Sequence, residues 1–172
     1  MEFNKPISKM NLLNSLLFSG ILTLNTFNTQ ESTAKNQDNI DIPKVFSYRS
    51  ASCGCCKKWV NHLLDNGLEV IDNIVEDISE IKKQYKVPNN LRSCHSAKIG
   101  NYRIEGHVPI ESINKLFREN PIISGLAVPG MPHGSPGMET HSHESHSHNY
   151  EAYNIFSFSN NGNTKIFGKI SP

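Results

Sequence analysis

The stretch Ser52-Cys53-Gly54-Cys55-Cys56-Lys57-Lys58-Trp59 holds three of the four cysteines of this 172-residue chain. Residues 44–48, just before it, alternate polar and apolar side chains as a half-buried strand does. After it, Trp59, Val60, Leu63 and Leu64 recur at helical spacing. The cysteines therefore lie where a strand runs into a helix. At a helix N-terminus, the dipole and the two neighbouring lysines favour thiolate over thiol.

The segments that follow predict the rest of a βαβ unit. Gly67 ends the first helix, and residues 68–75 have the apolar pattern of a second strand. Asp77 and Glu80 have the spacing of a capping box, which opens a second helix that stops before Pro88. The cysteines thus occupy the first turn of a strand–helix–strand unit that is followed by another helix.

The second half of the chain predicts two hairpins with a helix between them. Residues 98–103 contain Gly-Asn, which suits a two-residue turn, and a helix runs from Pro109 to about Glu119. A last hairpin turns near Gly162 and places two phenylalanines against two isoleucines, namely Phe156 and Phe158 against Ile166 and Ile170. This order indicates a single thioredoxin-like α/β domain over residues 44–170, with a C-terminal β-hairpin.

Length and composition narrow the classes of protein that fit. A chain of 172 residues is long enough for one domain with a hydrophobic core. Its net charge of +1 argues against a nucleic-acid or polybasic membrane surface, so no nucleic-acid partner is expected. The four cysteines fall into two small groups, whereas those of a disulfide framework are spread along the chain. The cysteines therefore indicate metal or redox chemistry.

The N-terminal segment has the layout of a secretory signal. Lys5 and Lys9 precede an apolar run over residues 12–24, and small residues follow at Ser32-Thr33-Ala34. The run is shorter than the ~20 apolar residues of a spanning helix, which argues against the alternative of an uncleaved anchor. We predict a signal peptide over residues 1–34 and a polar linker over residues 35–43. The mature protein would be periplasmic or secreted, without stable membrane insertion.

The spacing of the cysteines leaves three kinds of chemistry open. Cys53 and Cys56 form a C-x-x-C pair, the thioredoxin redox motif when it follows a strand and opens a helix. Cys55, between them, would attack that disulfide and scramble a clean dithiol cycle. Sulfur ligands select Cu(I), zinc or iron–sulfur clusters, and with Cys94 the four suffice for a closed tetrahedral zinc site. We rank Cu(I) first, zinc second and dithiol redox chemistry third.

Cys94 and two histidines are further candidate ligands. Cys94, with His95 beside it, is either a small core residue or a ligand that the predicted fold carries towards the first helix. His107, just before the helix at Pro109, is either a ligand or a hydrogen-bonded histidine at a helix start. His62, on the cysteine-led helix among polar neighbours, is expected to be a solvated surface residue.

Two later segments carry softer or weaker ligands. Residues 130–139 form a loop rich in proline and glycine that presents the thioethers of Met131 and Met138. Methionine sulfur suits Cu(I) and is poor for zinc, although the loop could also be an ordinary surface loop with packing methionines. Residues 141–148 alternate histidine with serine and glutamate, which predicts a flexible insert over residues 140–149 that captures Cu(II), Ni(II) or Zn(II) loosely.

Taken in order, these motifs resemble the CopG-like copper-resistance proteins, secreted or periplasmic CxCC proteins long grouped as a metal-binding domain of unknown function. The resemblance rests on CxCC with Trp (residues 53–59), Ser-Cys-His (93–95), Glu-Gly-His-Val-Pro (105–109) and Gly-Met-Pro-x-Gly-Ser-Pro-Gly-Met-Glu (130–139). It implies a thioredoxin-like fold in which Cys53, Cys55, Cys56 and Cys94 bind Cu(I) as a polynuclear thiolate cluster. It also implies an oxidoreductase role between Cu(I) and Cu(II). The histidine tract is not part of the family's motif.

The sequence therefore predicts an extracytoplasmic copper-binding protein that sequesters, transfers or redox-handles Cu(I). The candidate metal ligands are Cys53, Cys55, Cys56, Cys94, His95, His107, Met131 and Met138. The expected partners are metal ions and a protein that donates or accepts copper. A metal-binding role is favoured over an enzymatic one. The alternatives are a thiol–disulfide oxidoreductase of thioredoxin type and a structural zinc domain, which chelation would unfold.

Overall fold

The computed structural model describes residues 40–139 and 150–171, which contain three α-helices and seven β-strands. The elements, in order, are β1 (Val45–Arg49), α1 (Gly54–Asp65), β2 (Val70–Ile74), α2 (Ile78–Gln84), a 3-10 turn (Asn89–Leu91), β3 (Ser96–Ile99), β4 (Tyr102–Glu105), α3 (Ile110–Glu119), β5 (Gly125–Ala127), β6 (Tyr153–Phe158) and β7 (Thr164–Ile170). None of these helices is long and apolar enough to cross a membrane. The predicted signal peptide, most of the predicted linker and the predicted His-rich insert lie outside the described residues.

The seven strands join one mixed sheet in the order β2-β1-β3-β4-β5-β6-β7. β1 pairs in parallel with β2, and β4 with β5, while the other neighbours are antiparallel. The βαβ unit, the hairpin β3–β4, α3 and the hairpin β6–β7 follow in the predicted order. In the last hairpin, Phe156 lies opposite Ile166 as expected. Phe158 lies opposite Thr164 and Ile170 opposite Tyr153, because residue numbers rise on one antiparallel strand as they fall on the other; a register shift at Ile155/Phe156 moves the pairing by one further residue.

The hydrophobic core has two parts, one on each side of the sheet. Helix α1 buries residues at helical spacing, among them Trp59 and Leu63, whereas Leu64 is 47% exposed although its spacing predicts burial. These residues and α3 pack in the larger cluster, which includes Ile104. The smaller cluster includes Ala127, which pairs with Glu105, the next residue along β4. Because successive strand residues point to opposite faces, the two clusters lie on opposite sides of the sheet.

One element and two packing details were not predicted. β5 is three fully buried residues, too short to show a strand period. Its Gly125 lies so close to β4 that a Cβ there would sit 1.9 Å from the Arg103 carbonyl oxygen. Ile42, at the end of the predicted linker, packs partly buried against the larger core cluster. The ordered domain therefore includes the last residues of the predicted linker.

The strand register brings four chain segments to one end of the sheet. Tyr48 lies opposite Ser96, Ser96 opposite Glu105, and Glu105 opposite Ala127. One row therefore contains the ends of β1, β4 and β5 and the beginning of β3. The cysteine loop, Cys94, His107 and the loop after residue 128 all extend from this row.

Candidate metal centre

The first three cysteines lie around the N-terminus of α1. Cys53 is the N-cap residue, and Cys55 and Cys56 belong to the first turn. Cys56 is fully buried, whereas Cys53 and Cys55 are half-buried. A disulfide joins Cys53 and Cys56, whose Cα atoms are 5.3 Å apart, and the Sγ of the free Cys55 lies 3.5 Å from the Sγ of Cys53.

Cys94 comes from the loop before β3 and lies beside these three. The Sγ atoms of Cys53, Cys55, Cys56 and Cys94 all fall within 4.8 Å of one another. Cys94 is half-buried and is the second free thiol among the described residues. The segment after α2 therefore lies at the N-terminus of α1, where the sulfur atoms of all four cysteines come together.

His95 and His107 lie behind Cys94, and both are fully buried. The Sγ of Cys94 is 3.1 Å from Nε2 of His107 and 3.4 Å from Nδ1 of His95. Nδ1 of His107 lies 2.8 Å from the carbonyl oxygen of Pro136. Because a carbonyl only accepts, Nδ1 of the neutral ring carries the proton, and Nε2 presents a lone pair to the sulfur. Within residues 40–139 and 150–171, Nε2 of His95 has no hydrogen-bond partner.

Burial sets the protonation of this inner group. It raises the pKa of the Cys94 thiol to about 11, with the nearby Cys55 sulfur acting in the same direction. Burial lowers the pKa of His95 well below its usual range, helped by the nearby His107. It also lowers the pKa of His107, although the hydrogen bond to a backbone carbonyl opposes that shift. At neutral pH the inner group is therefore a protonated thiol beside two neutral imidazoles, and a metal bound at the sulfur would displace a proton.

The proline- and glycine-rich loop closes over the cysteines from the other side. The Sδ of Met131, a residue 51% exposed, lies 3.9 Å from the Sγ of Cys55. Gly137 packs so tightly on α1 that a Cβ there would sit 2.6 Å from the carbonyl oxygen of Cys55. Met138 is half-buried, and its hydrogen bonds join its backbone to Gly134 and Ser135 within the same loop. The structure thus places the Met131 thioether in contact with a cysteine.

Two residues on α1 tie this helix to α3. Trp59 is fully buried, its Nε1–H donates to the carbonyl oxygen of Val108 at 2.9 Å, and its ring packs 4.5 Å from the ring of His95. His62 is half-buried rather than solvated, because its Nε2 accepts the N–H of Ile110 at 3.3 Å. That N–H belongs to the first turn of α3, where an intrahelical partner is lacking. Neither contact shows in the sequence, since both cross between elements.

Two buried charges behind the site were missed by the sequence analysis. Glu105 is fully buried, Lys82 is 5% exposed, and Nζ of Lys82 lies 2.5 Å from Oε1 of Glu105. Burial raises the pKa of Glu105, while the Lys82 ammonium lowers it. Glu105 stands in the Glu-Gly-His motif, which could have drawn attention to it. Lys82 has no such signal, because in the sequence it looks like its exposed neighbour Lys83.

Comparison with known proteins gives matches at two levels. Residues 91–138 match a family model described as a protein of unknown function, DUF411. Two solved structures of the copper resistance protein CopG, forms 2 and 1, match with TM-scores of 0.67 and 0.68 and are 38% and 37% identical to this chain. The matches cover 75% and 77% of this chain and 99% and 100% of those chains. No curated protein sequence matches.

Proposed function

This chain belongs to the family of the CopG copper resistance proteins, and from that relationship we propose that it binds Cu(I) through its clustered sulfur atoms outside the cytoplasm. The observation that carries the proposal is the group of four cysteine Sγ atoms within 4.8 Å of one another. The family relationship and this cluster together support a copper-related metal-binding role. Cu(I) as the metal ion, the individual ligands and the location outside the cytoplasm are what we propose beyond that role.

Cu(I) fits the donor atoms better than zinc does. Thiolate and thioether sulfur are soft ligands, and the site offers both, because the Met131 thioether lies beside Cys55. The proposed ligands are Cys53, Cys55, Cys56 and Cys94, with Met131 at the exposed side and His107 and His95 at the buried side. Crowded sulfur atoms can bridge several Cu(I) ions, which supports a polynuclear cluster. Met138 is a further candidate from the same loop, in which its backbone is hydrogen-bonded to Gly134 and Ser135.

A thioredoxin-like fold is part of the proposal, and its support is topological. The units β1-α1-β2 and β3-β4-α3 give the strand order β2-β1-β3-β4, in which only β3 runs opposite to the other three. Helix α1 begins at the cysteines, as the helix after a thioredoxin C-x-x-C motif does. The proposed domain spans residues 44–170, after a signal peptide and a linker.

The extracytoplasmic location rests on the sequence of residues 1–34 and on the disulfide. Disulfides persist mainly in oxidising compartments, so the Cys53–Cys56 bond suits an exported protein. N-terminal sequencing of protein recovered from the periplasm or medium should start shortly after Ala34. Recovery in the cytoplasm with an intact N-terminus would contradict export.

The disulfide also limits when copper can bind at full capacity. While Cys53 and Cys56 are joined, the free thiols among the described residues are Cys55 and Cys94. The proposed four-cysteine site therefore forms only after an external thiol reductant supplies two electrons and two protons to the disulfide, which becomes two thiols while the reductant is oxidised to its own disulfide. Delivery by, or to, a partner protein would pass the exposed Met131 and the half-buried Cys55, because the inner imidazoles are fully buried.

A titration of reduced protein with Cu(I), in competition with a Cu(I) chelator, tests the proposal. We expect tight Cu(I) binding that equimolar zinc does not displace. Protein with its disulfide intact should bind fewer Cu(I) ions per chain. If zinc binds and chelator-buffered Cu(I) does not compete for the same thiols, the copper assignment is wrong. In that case chelation should unfold the chain, as it does structural zinc domains.

A thiol–disulfide oxidoreductase is the second candidate, and the Cys53–Cys56 disulfide at a helix N-terminus favours it. Metal-free protein would then catalyse disulfide reduction of a protein substrate such as insulin. Cys55→Ser would leave that turnover intact, because only the C-x-x-C pair would cycle. Under the copper proposal, metal-free turnover is slow, and Cys55→Ser weakens Cu(I) binding.

A further inference from the structure

The buried carboxylate of Glu105 receives three hydrogen bonds from three different segments. Its Oε1 accepts from Nζ of Lys82 at 2.5 Å and from the backbone N–H of Ser93 at 2.6 Å. Its Oε2 accepts from the hydroxyl of Ser96 at 2.5 Å. The carboxylate thus joins α2, β3 and the loop that carries Cys94. None of these contacts involves a candidate metal ligand directly.

Ser93 extends the network to the far side of the site. Its N–H is held by Glu105, and its hydroxyl donates to the carbonyl oxygen of Gly130, the residue before Met131. The residue that follows Ser93 in the chain is Cys94. One serine therefore fixes both the thiol of the inner group and the loop that carries the thioether.

The packing around Ser93 leaves it little freedom. A Cβ added to Gly106 would lie 2.6 Å from the Cβ of Ser93 and 2.5 Å from the carbonyl oxygen of Val128. Gly106 also has a φ of +70°, which L side chains rarely adopt. The Ser93 side chain therefore packs directly against the backbone of Gly106, where no side chain separates them.

We propose that Glu105, with Lys82 balancing its charge, is a positioning residue that holds Ser93 so that Cys94 and Met131 face the cysteines of α1. The inference rests on the proposed Cu(I) function and adds the network that brings Cys94 and Met131 to the three cysteines of α1. A structural ion pair alone has no need of the Ser93 backbone. What the network adds is a rigid path from the buried carboxylate to two ligand-bearing loops.

The charges require paired substitutions. Glu105→Gln alone leaves a buried ammonium without a counter-charge, which destabilises the fold whatever the role of Glu105. The double variant Lys82→Met/Glu105→Gln removes both charges and keeps an acceptor for Ser93. Lys82→Met/Glu105→Leu removes both charges and the acceptor. The matched control is Lys83→Met/Glu80→Leu, which removes an exposed Lys–Glu pair of the same helix with a similar 2.6 Å separation.

Two measurements separate positioning from stability. The first is Cu(I) affinity of the reduced protein by chelator competition, which we expect Lys82→Met/Glu105→Leu to lower about 10- to 100-fold, the usual effect of losing a partner that orients a metal ligand. The Gln variant should lose less, and the control should be unchanged. The second is the alkylation rate of Cys94 in metal-free protein with its disulfide intact, which should rise in the Leu variant relative to that of Cys55.

A double-mutant cycle with Cys94→Ser decides whether Glu105 acts through the thiol. If it does, the Leu variant lowers Cu(I) affinity much less in the Cys94→Ser background, while its effect on the urea midpoint persists. Equal losses in both backgrounds, or a folded Leu variant with unchanged affinity and Cys94 reactivity, would overturn the proposal. Should the Leu variant not fold, Ser93→Ala, which loses the hydroxyl bonds to the Gly130 carbonyl and to the Cys94 Sγ but keeps the backbone bond to Glu105, must still weaken Cu(I) binding, or the proposal fails. If wild-type protein binds no Cu(I), the proposed function is lost, and Cys94 alkylation alone decides the positioning role.

Discussion

The two halves of the sulfur site are assembled in different ways. Cys53, Cys55 and Cys56 are gathered by a few residues of local structure, because they flank the first turn of one helix. Cys94 reaches them only through strand register and a buried hydrogen-bond network. The local half exists wherever α1 forms, whereas the long-range half exists only in the folded domain. Tight copper binding should therefore report on folding as well as on ligand number.

The halves also differ in their surroundings. Cys53 and Cys55 are half-buried, and Cys55 contacts the exposed Met131. Cys94 faces two fully buried imidazoles. The local half can thus meet an incoming copper complex, while in the long-range half the half-buried Cys94 has fully buried imidazoles behind it, where water competes poorly for the metal. Capture and retention would then be divided between them.

The largest effect is expected from removing the long-range thiol. Cys94→Ser should weaken Cu(I) binding more than about 100-fold, beyond the loss of a partner that only orients a ligand, because the cross-loop sulfur itself is removed. The measurement is chelator competition on reduced protein, with thiol counting. The control is Ser52→Ala, since the Ser52 hydroxyl is exposed and its hydrogen bond goes to the hydroxyl of Ser50. Unchanged affinity and stoichiometry would make Cys94 a core residue and the site wholly local.

Only part of the fold and of the site could be predicted from the sequence. The strand–helix junction and the cysteines at its turn follow from hydrophobic period and local spacing, and the structure places them as expected. The approach of Cys94 could be anticipated only by assuming a fold. Lys82 could not be found, because a buried lysine and an exposed one look alike until α2 is docked on the sheet. β5 was missed for a similar reason, since three buried residues carry no period.

A second prediction tests the difference in surroundings. Because burial raises the pKa of Cys94 to about 11, its thiolate fraction in the metal-free, disulfide-intact protein is small at pH 8. Its alkylation rate should climb about tenfold per pH unit from pH 8 to 10, with no plateau below the pKa. Peptide mapping assigns the label to Cys94 or Cys55. A Cys94 alkylation rate that levels off near pH 9 would show that water reaches Cys94 more freely than its raised pKa indicates.

A smaller effect is expected at the exposed rim. Met131→Leu should weaken Cu(I) binding about tenfold or less, because one thioether beside Cys55 is lost while the thiolates remain. Met138→Leu is the matched comparison, because it removes a thioether from the same loop. Its effect should be smaller, since the thioether that lies 3.9 Å from the Cys55 sulfur is that of Met131. Equal losses from the two variants would mean that both thioethers reach the metal, and that the rim is wider than the structure indicates.

The smallest effect on Cu(I) binding is expected from the histidine tract, which bears on whether the two sulfur halves are sufficient. Imidazoles titrate near pH 6.5 and bind metal only when neutral, so capture by His141, His143, His146 and His148 should fade as the pH falls through about 6. Thiolates that a bound metal keeps deprotonated should hold copper well below that pH. Deleting residues 140–149 should therefore remove a weak, acid-sensitive Cu(II) or Zn(II) component and leave Cu(I) affinity unchanged.

The measurement is a pair of titrations, Cu(II) and Cu(I), near neutral pH and in mild acid. A variant with glutamine at the four histidines keeps the length of the chain, so it separates the loss of imidazole from the shortening of the chain. If either variant lost tight Cu(I) binding, the four cysteines and Met131 would not form a complete site, and the division into a local and a long-range half would have to include the tract.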